Sequence, residues 1–517
     1  MKNKILVIAA AMMFFTACCN SEKRTETPVK QRNSIVILYE NDVHCDIENY
    51  AKLAGLRDAI SDTAYVGLVS SGDFLQGGAI GKIKCGAYIV DIMKNMHYDA
   101  VTLGNHEFDI GLPKLLELLS SFNAPIVCAN LYDADSNYVY LPYTICEYGE
   151  RKVGFVGVLT PETETISSSS FKEGLCTLNK DKMFQLVQQA VDETREKGCD
   201  YVVLLSHIGE KSNNGHKTSH DLVAATTGID VVLDGHSHSK ILCDTVMNAK
   251  GQPVYISQTG TWLENVGQLV ITKDGNFFFK LIPSKDIPYV NKEVAKVTKM
   301  VDSIADVEFG PTVYHTDYTL AINDENGNRI IRNTETNAGD IVTDALRYMM
   351  DADMAFVNGG GIRKYIKKGD FKGRQIADML SFDNTVVKIE ATGATILEML
   401  EKTTHGLPKE SGDFPHVSNI RFTVHVVNGG NNYISSVKVR QPDGSYAPID
   451  PNAKYTVATS DYCARKGFLN VFNNCPILKE TNELYYIALV DYVSNVLGGN
   501  IPSQYAESQG RMTVVYE

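Results

Sequence analysis

One pattern occurs five times in this sequence and limits what the chain can fold into. A short apolar run of strand character ends in a cluster of Asp, Asn or His, usually beside glycine. Ser34–Tyr39 leads into Asn41-Asp42-Val43-His44, and Tyr65–Ser70 into Ser71-Gly72-Asp73. Tyr98–Leu103 leads into Gly104-Asn105-His106-Glu107-Phe108-Asp109, Tyr201–Leu205 into Ser206-His207-Ile208-Gly209, and Ile229–Asp234 into Gly235-His236-Ser237-His238. One such cluster is an ordinary polar strand end. Five, alternating with segments of helical periodicity such as Lys182–Lys197, predict an α/β fold in which one sheet gathers these side chains at its carboxyl edge, where such folds keep their chemistry.

The residue types select the chemistry. Residues i and i+2 of an extended chain point the same way, so Asp42 and His44 face one point. A carboxylate beside an imidazole suits a divalent transition metal. Asp42, His44, Asp73, Asn105, His207, His236 and His238 make seven candidate ligands, too many for one ion of four to six ligands. They suit two ions sharing a bridging carboxylate, as in sites that grip both the attacking and the leaving oxygen with metals about 3.5–4 Å apart. His106 offers a general acid, or a cation for an anionic substrate, and Asp109 can hold it in one orientation.

A chain of 517 residues is too long for one core, so two or three domains are expected. A net charge of -13 argues against a nucleic-acid polymer or a membrane surface as partner, but not against small anions, because bound metals invert the local field. Met1–Lys4 is basic, Ile5–Phe15 apolar, and Thr16-Ala17-Cys18 follows, which is the layout of an export signal too short to span a bilayer. Its ending resembles a bacterial lipoprotein signal, in which Cys18 carries the lipid and anchors the protein in the cell envelope, facing the periplasm or at the outer membrane. Residues 19–33 are polar and fit a tether. The 11 cysteines form no C-x-x-C pair, so zinc-ribbon and thioredoxin-like readings fail and buried free thiols are expected.

Further along, Pro125–Asn130 and Lys152–Val158 read as buried strands, as do Gly267–Ile271 and Phe277–Leu281. Asn291–Val307 reads as a helix, with Val294, Val297, Val301 and Ile304 at three- and four-residue steps. A helix start at Asn337–Ala345 and a strand at Ala355–Val357 precede Asn358-Gly359-Gly360-Gly361-Ile362-Arg363. Glycines there let the backbone approach a ligand, and Arg363 can grip a phosphate with two parallel hydrogen bonds.

Taken together, D-x-H, G-D, G-N-H-E, S-H-x-G and G-H-x-H in this order resemble the calcineurin-like metallophosphoesterase signature. The form G-N-H-E-F-D, with N-G-G-G-I-R downstream, resembles the 5′-nucleotidase family. The resemblance implies a four-layer catalytic β-sandwich flanked by helices over 34–290, a linker helix over 291–312, and a C-terminal α/β substrate-binding domain over 313–517. It assigns one divalent ion (Zn, Mn, Mg or Co) to Asp42, His44, Asp73 and His238, and a second to Asp73, Asn105, His207 and His236. His106 then stabilises charge on the phosphoryl or leaving group, oriented by Asp109. Arg363, Asn358, Gly360, Asn419, Phe414 and Tyr462 are the implied substrate contacts, with Asn384 a further polar candidate and Val417 an alternative to Phe414. Two departures stand out. Cys45 follows His44 where the family has glycine, and Tyr462-Cys463-Ala464-Arg465-Lys466-Gly467-Phe468 lacks the G-G-D-G that holds the ribose.

The expectation is release of phosphate from nucleoside 5′-monophosphates by metal-activated water. Alternatives on the same machinery are a 2′,3′-cyclic nucleotide phosphodiesterase/3′-nucleotidase, a UDP-sugar hydrolase and a sulfur-ester hydrolase. An alternative of another class is a non-catalytic nucleotide-binding surface lipoprotein.

Overall fold

Ile35–Glu40 is buried along its whole length, which is why it reads as an unbroken apolar run rather than an alternating one. The computed structural model describes residues 34–166, 174–210 and 217–517; the expected signal segment 1–18 and tether 19–33 lie outside them. Ile35–Glu40 pairs in parallel with Tyr65–Ser70, which pairs in parallel with Ala100–Val101; Asn265–Ile271 and Phe277–Pro283 complete this five-stranded sheet on the antiparallel side. A second sheet has six strands. Arg151–Leu159, Tyr201–His207, Val231–Leu233 and Pro253–Thr259 run parallel at its centre, edged by Tyr143–Tyr148 and Lys240–Met247.

The two sheets stack face to face. Ile37, Tyr39 and Val69 of the first pack on Phe155, Val203 and Leu233 of the second. Helices cover both outer faces, Tyr50–Ser61 and Ala87–Lys94 on one and Met183–Glu196 on the other. The layering is helix, sheet, sheet, helix, and the fold class is the expected α/β one. The single sheet expected from the five strand ends is corrected: three ends belong to the first sheet and two to the second. Their carboxyl edges are joined by Ser71 Oγ donating to the Leu233 carbonyl (2.7 Å). Residues 125–130 form isolated bridges rather than a strand, because Ile126 and Val127 pair with Val101 and Leu141 only singly.

Asn291 caps the helix Lys292–Glu308 by accepting the N–H groups of Glu293 and Val294. That helix buries Val294, Val301 and Ala305 in the core of the first half. Its outer face carries Asp302 and Asp306, which pair with Arg374 and Lys372 of the second half. The second half centres on a five-stranded sheet ordered Pro415–Ser418, Met354–Asn358, Lys454–Ser460, Thr385–Thr392, Ile477–Leu484, with a four-stranded sheet beside it and the helix Asn337–Met350 packed on the first. Met354–Asn358 ends at the glycine loop, which therefore faces the first half's carboxyl edges.

Candidate metal centre and cleft

Donor atoms of Asp42, His44, Asp73 and His238 all lie within 4.8 Å of one another. His207 joins through its Nε2, 3.1 Å from Asp73 Oδ2. His236 Nδ1 sits 2.8 Å from Asn105 Oδ1, and its backbone N–H donates to Asp42 Oδ2 (3.0 Å). The fold thus brings all seven candidate ligands to one place.

The orientation of the imidazole rings fits divalent cations. A carbonyl can only accept, so His44 Nδ1–H donates to Gln76 O (3.0 Å) and His207 Nδ1–H to Ser71 O (2.6 Å). Each Nε2 is thereby turned towards the ligand cluster. That of His44 faces His238 Nε2 at 3.0 Å. That of His207 is buried beside Asp73 Oδ2; burial disfavours the imidazole's cation, but Asp73 and Asp42 outweigh it and raise the pKa to about 10. Imidazole nitrogens and carboxylate oxygens crowded this closely are what a cation between them resolves.

Backbone strain gathers here as well. Asp42, His44, Asp73, His236 and His238 have positive φ, between 48° and 72°. Such conformations cost about 1–3 kcal/mol each and persist where surrounding structure enforces them. Cys45, at φ 58°, adopts the left-handed backbone that glycine would take, and its thiol donates to the Leu75 carbonyl (2.6 Å). The cysteine therefore leaves the loop's conformation intact.

Much of that enforcement comes from Glu107. Its fully buried carboxylate accepts the N–H groups of Asp73 (2.9 Å), Phe74 (2.7 Å), Leu75 (2.9 Å) and Gly104, tying the second strand end to the third. His106 donates its backbone N–H to Asp73 Oδ1 (2.9 Å) and its Nδ1–H to Asp109 Oδ2 (2.7 Å). Burial disfavours its cation, but Asp109 and Asp73 outweigh that and raise its pKa.

The cleft's other wall comes from the second half. Arg363 reaches across: its Nη2 lies 3.3 Å from His44 Nε2 and 3.4 Å from His238 Nε2. Burial and Arg329 pull its pKa down to about 10, still cationic at neutral pH. Arg332, which sequence reasoning missed, is a second largely buried cation; burial, Arg329 and Arg363 all lower its pKa. Arg329 is matched by Glu410, whereas neither Arg332 nor Arg363 has a carboxylate within ion-pair distance among the described residues.

The aromatic contacts differ from expectation. Phe414 is fully buried in the second half's core, its ring against His416, and only its carbonyl serves the loop, accepting Gly359 N–H (2.7 Å). Val417 is buried in the same core. The ring at the cleft is Phe382, 5.4 Å from the ring of His106 and 5.5 Å from the Arg363 guanidinium. Lys82 of the first half holds it there, donating to the carbonyls of Ser381 (3.0 Å) and Phe382 (2.8 Å). Asn419 is corrected too: it turns the chain at the opposite end of Met354–Asn358, donating to Asp353 O. Asn384 uses its carbonyl to hold Tyr485 N–H, and Tyr485 in turn supports Gly361. Asn358 spends its amide on Gly412 O (2.9 Å) and on the Cys463 thiol (3.3 Å), and Gly360 N–H donates to Gly412 O, so both brace the loop. Tyr462 stands near Arg332, half-buried beside Gly467. Arg465, in the segment that replaces G-G-D-G, is paired with Glu480.

The sequence profile of calcineurin-like phosphoesterases matches residues 35–240, and that of the 5′-nucleotidase C-terminal domain residues 312–473. The chain belongs to the 5′-nucleotidase family of metal-dependent phosphoester hydrolases. It is 25% identical over 484 residues to the trifunctional nucleotide phosphoesterase protein YfkN of Bacillus subtilis, covering 84% of this chain but 32% of that longer protein. It is 25% identical over 499 residues to the snake venom 5′-nucleotidase of Naja atra, covering 84% and 90% of the two chains. Its fold matches that of a 5′-nucleotidase precursor from Thermus thermophilus with a TM-score of 0.80 at 23% identity, over 94% of this chain and 100% of that one. Within this family frame the ligand set and the arginine pair occupy the two walls of one cleft.

Proposed function

We propose that the protein hydrolyses nucleoside 5′-monophosphates to nucleoside and phosphate at this cleft. The observation that carries the reading is the pair of largely buried, unmatched guanidiniums, Arg332 and Arg363, opposite a seven-residue metal-ligand set with His106 between. Buried cations without carboxylates call for an anion, and arginine suits the planar array of phosphoryl oxygens.

Asp42, His44, Asp73 and His238 would hold one divalent ion, and Asp73, Asn105, His207 and His236 the other, with Asp73 shared. When bound, such ions polarise phosphoryl oxygens and lower the pKa of water. Arg363 grips the non-bridging oxygens and orients phosphorus. His106, its cation favoured and its ring aimed by Asp109, stabilises charge growing on the phosphoryl oxygens or leaving group. Phe382 and Tyr462 offer rings for the leaving group, and Lys82 holds the Phe382 segment against the first half. The N-terminal pattern supports export and lipidation at Cys18, with the hydrolysis taking place in the cell envelope.

The test is a panel of nucleoside 5′-monophosphates, 3′-nucleotides, 2′,3′-cyclic nucleotides and nucleotide sugars, each with Mn²⁺ or Zn²⁺, alongside an aryl phosphate. Preferred release of phosphate from 5′-monophosphates is the expected result. Preference for cyclic or sugar nucleotides would replace the substrate, and no hydrolysis of any phosphoester with metal supplied would end the enzymatic reading in favour of a binder.

A further inference from the structure

A sixth strand of the first half also ends in a carboxylate. Arg151–Leu159 runs into Thr160-Pro161-Glu162-Thr163. This turn is fastened to the ligand-bearing strand beside it: Thr160 N–H donates to the His207 carbonyl (2.9 Å), and the buried Thr163 Oγ donates back to Thr160 O (2.7 Å). The Glu162 side chain, 13% exposed, reaches into the site and places Oε2 3.0 Å from His236 Nε2.

This contact separates His236 from its neighbours. His44 and His207 give their outer N–H to backbone carbonyls, neutral acceptors. His236 faces a carboxylate. A carboxylate at Nε2 keeps the proton there, which leaves the lone pair on Nδ1. That nitrogen points at Asn105 Oδ1, itself only an acceptor, at 2.8 Å. Two acceptors cannot bond each other, so the pair opens towards a cation on their inner side. A carboxylate behind a ligating imidazole also raises its basicity and fixes the ring plane. His236 needs fixing, because its φ of 72° is a conformation the chain does not hold unaided.

We propose that Glu162 is a positioning residue for the second metal subsite, acting on the ion through His236 and setting that subsite's affinity apart from the first. The proposal rests on the two-ion reading above. It needs no contact between Glu162 and substrate, and it makes the two subsites unequal: the subsite of Asp42, His44 and His238 is left untouched by changes at Glu162.

The experiment is equilibrium dialysis of the chelator-stripped protein against Mn²⁺ alone, with wild type, Glu162→Ala and Glu162→Gln, each checked for an unchanged thermal midpoint. Wild type is expected to take up two ions. Glu162→Ala is expected to keep one site unaltered and weaken the other about 10–100-fold, the scale of outer-shell losses at metal sites. Glu162→Gln, whose amide oxygen still accepts the Nε2–H, is expected to recover most of that loss. Superimposable wild-type and Glu162→Ala isotherms would overturn the proposal while leaving the two-ion reading standing. A Gln variant as weak as the Ala variant would overturn orientation as its basis. A wild type that binds fewer than two ions would overturn the two-ion reading itself and this proposal with it.

Discussion

The ring of Phe382 lies 5.4 Å from that of His106, although the two residues belong to opposite halves of the chain. Phe382 is also within 5.5 Å of the Arg363 guanidinium, so one ring spaces the two cations that border the cleft. An apolar plate between them excludes water and strengthens both charges towards a phosphoryl group. Phe382→Ala should therefore lower kcat/KM by about tenfold or more, consistent with the loss of one aromatic contact plus water entry. Steady-state kinetics on the best 5′-monophosphate checks this; an unchanged kcat/KM would mean the ring only fills space.

His106 and Asp73 are linked by a backbone hydrogen bond but have separable roles. His106 lends no atom to the ligand cluster, whereas Asp73 stands at its centre. His106→Ala should cut kcat by about 10²–10⁴-fold with metal content unchanged, and Asp73→Ala should lose metal. Metal analysis beside kinetics decides the matter, and equal metal loss in both variants would reverse the assignment.

Arg363 meets the site directly and Arg332 stands behind it. Arg363→Ala should raise KM by about tenfold or more, since removing a charged hydrogen-bond donor from a buried anion costs roughly 1.5–3 kcal/mol. Lysine at this position should restore only part of that, because it cannot offer two parallel donors. An unchanged KM in Arg363→Ala would exclude the second half from phosphate binding.

Gly104 is chosen by space rather than by flexibility. A Cβ there would stand 2.1 Å from Asp73 Oδ1, and the backbone carrying that carboxylate is pinned by Glu107, so neither can retreat. Gly104→Ala should displace the shared ligand and abolish two-ion binding. Gly406→Ala, where nothing lies within 4 Å, is the matched control. Mn²⁺ uptake that is normal in Gly104→Ala would show that the loop relaxes freely.

The ligand set is legible in the sequence because each motif is local: strand, glycine and ligand lie within a few residues, and the fivefold recurrence rejects chance. The division into two sheets is not, because strands buried on both faces carry the same apolar run whichever sheet they join, and pairing is decided by residues far apart. Phe414 is placed at the substrate by the resemblance alone, and sequence does not say which of two rings faces the core. Phe382 carries no glycine or ligand signature. Arg332 gains meaning only from burial, which no local pattern reveals. Glu162 does leave a signal, a carboxylate at a strand's end, but without histidine or glycine beside it the pattern passes as a turn.

His416 gives the second half a dependence on pH that is separate from the metal centre. It is fully buried, its Nε2–H donates to Ile331 O (2.8 Å), and Gly339 must lack a side chain because a Cβ there would come 1.9 Å from Nδ1. Burial, aided by Arg511, holds its pKa down to about 4 from an ordinary 6.5. In the unfolded chain the imidazole protonates near 6.5, in the folded one only near 4. Its contribution is therefore complete above 6.5, falls as pH drops from 6.5 to 4, and is flat below. The span corresponds to about 3 kcal/mol. Other buried groups, such as Asp340 with its pKa raised to about 8 by burial, tilt the total in the opposite direction, so the measurement is a difference. Urea unfolding of wild type and His416→Gln at pH 7 and pH 4.5 should show the wild type losing some 2 kcal/mol more than the variant across that interval. Parallel losses in the two proteins would mean that His416 is reached by water and titrates as an ordinary histidine.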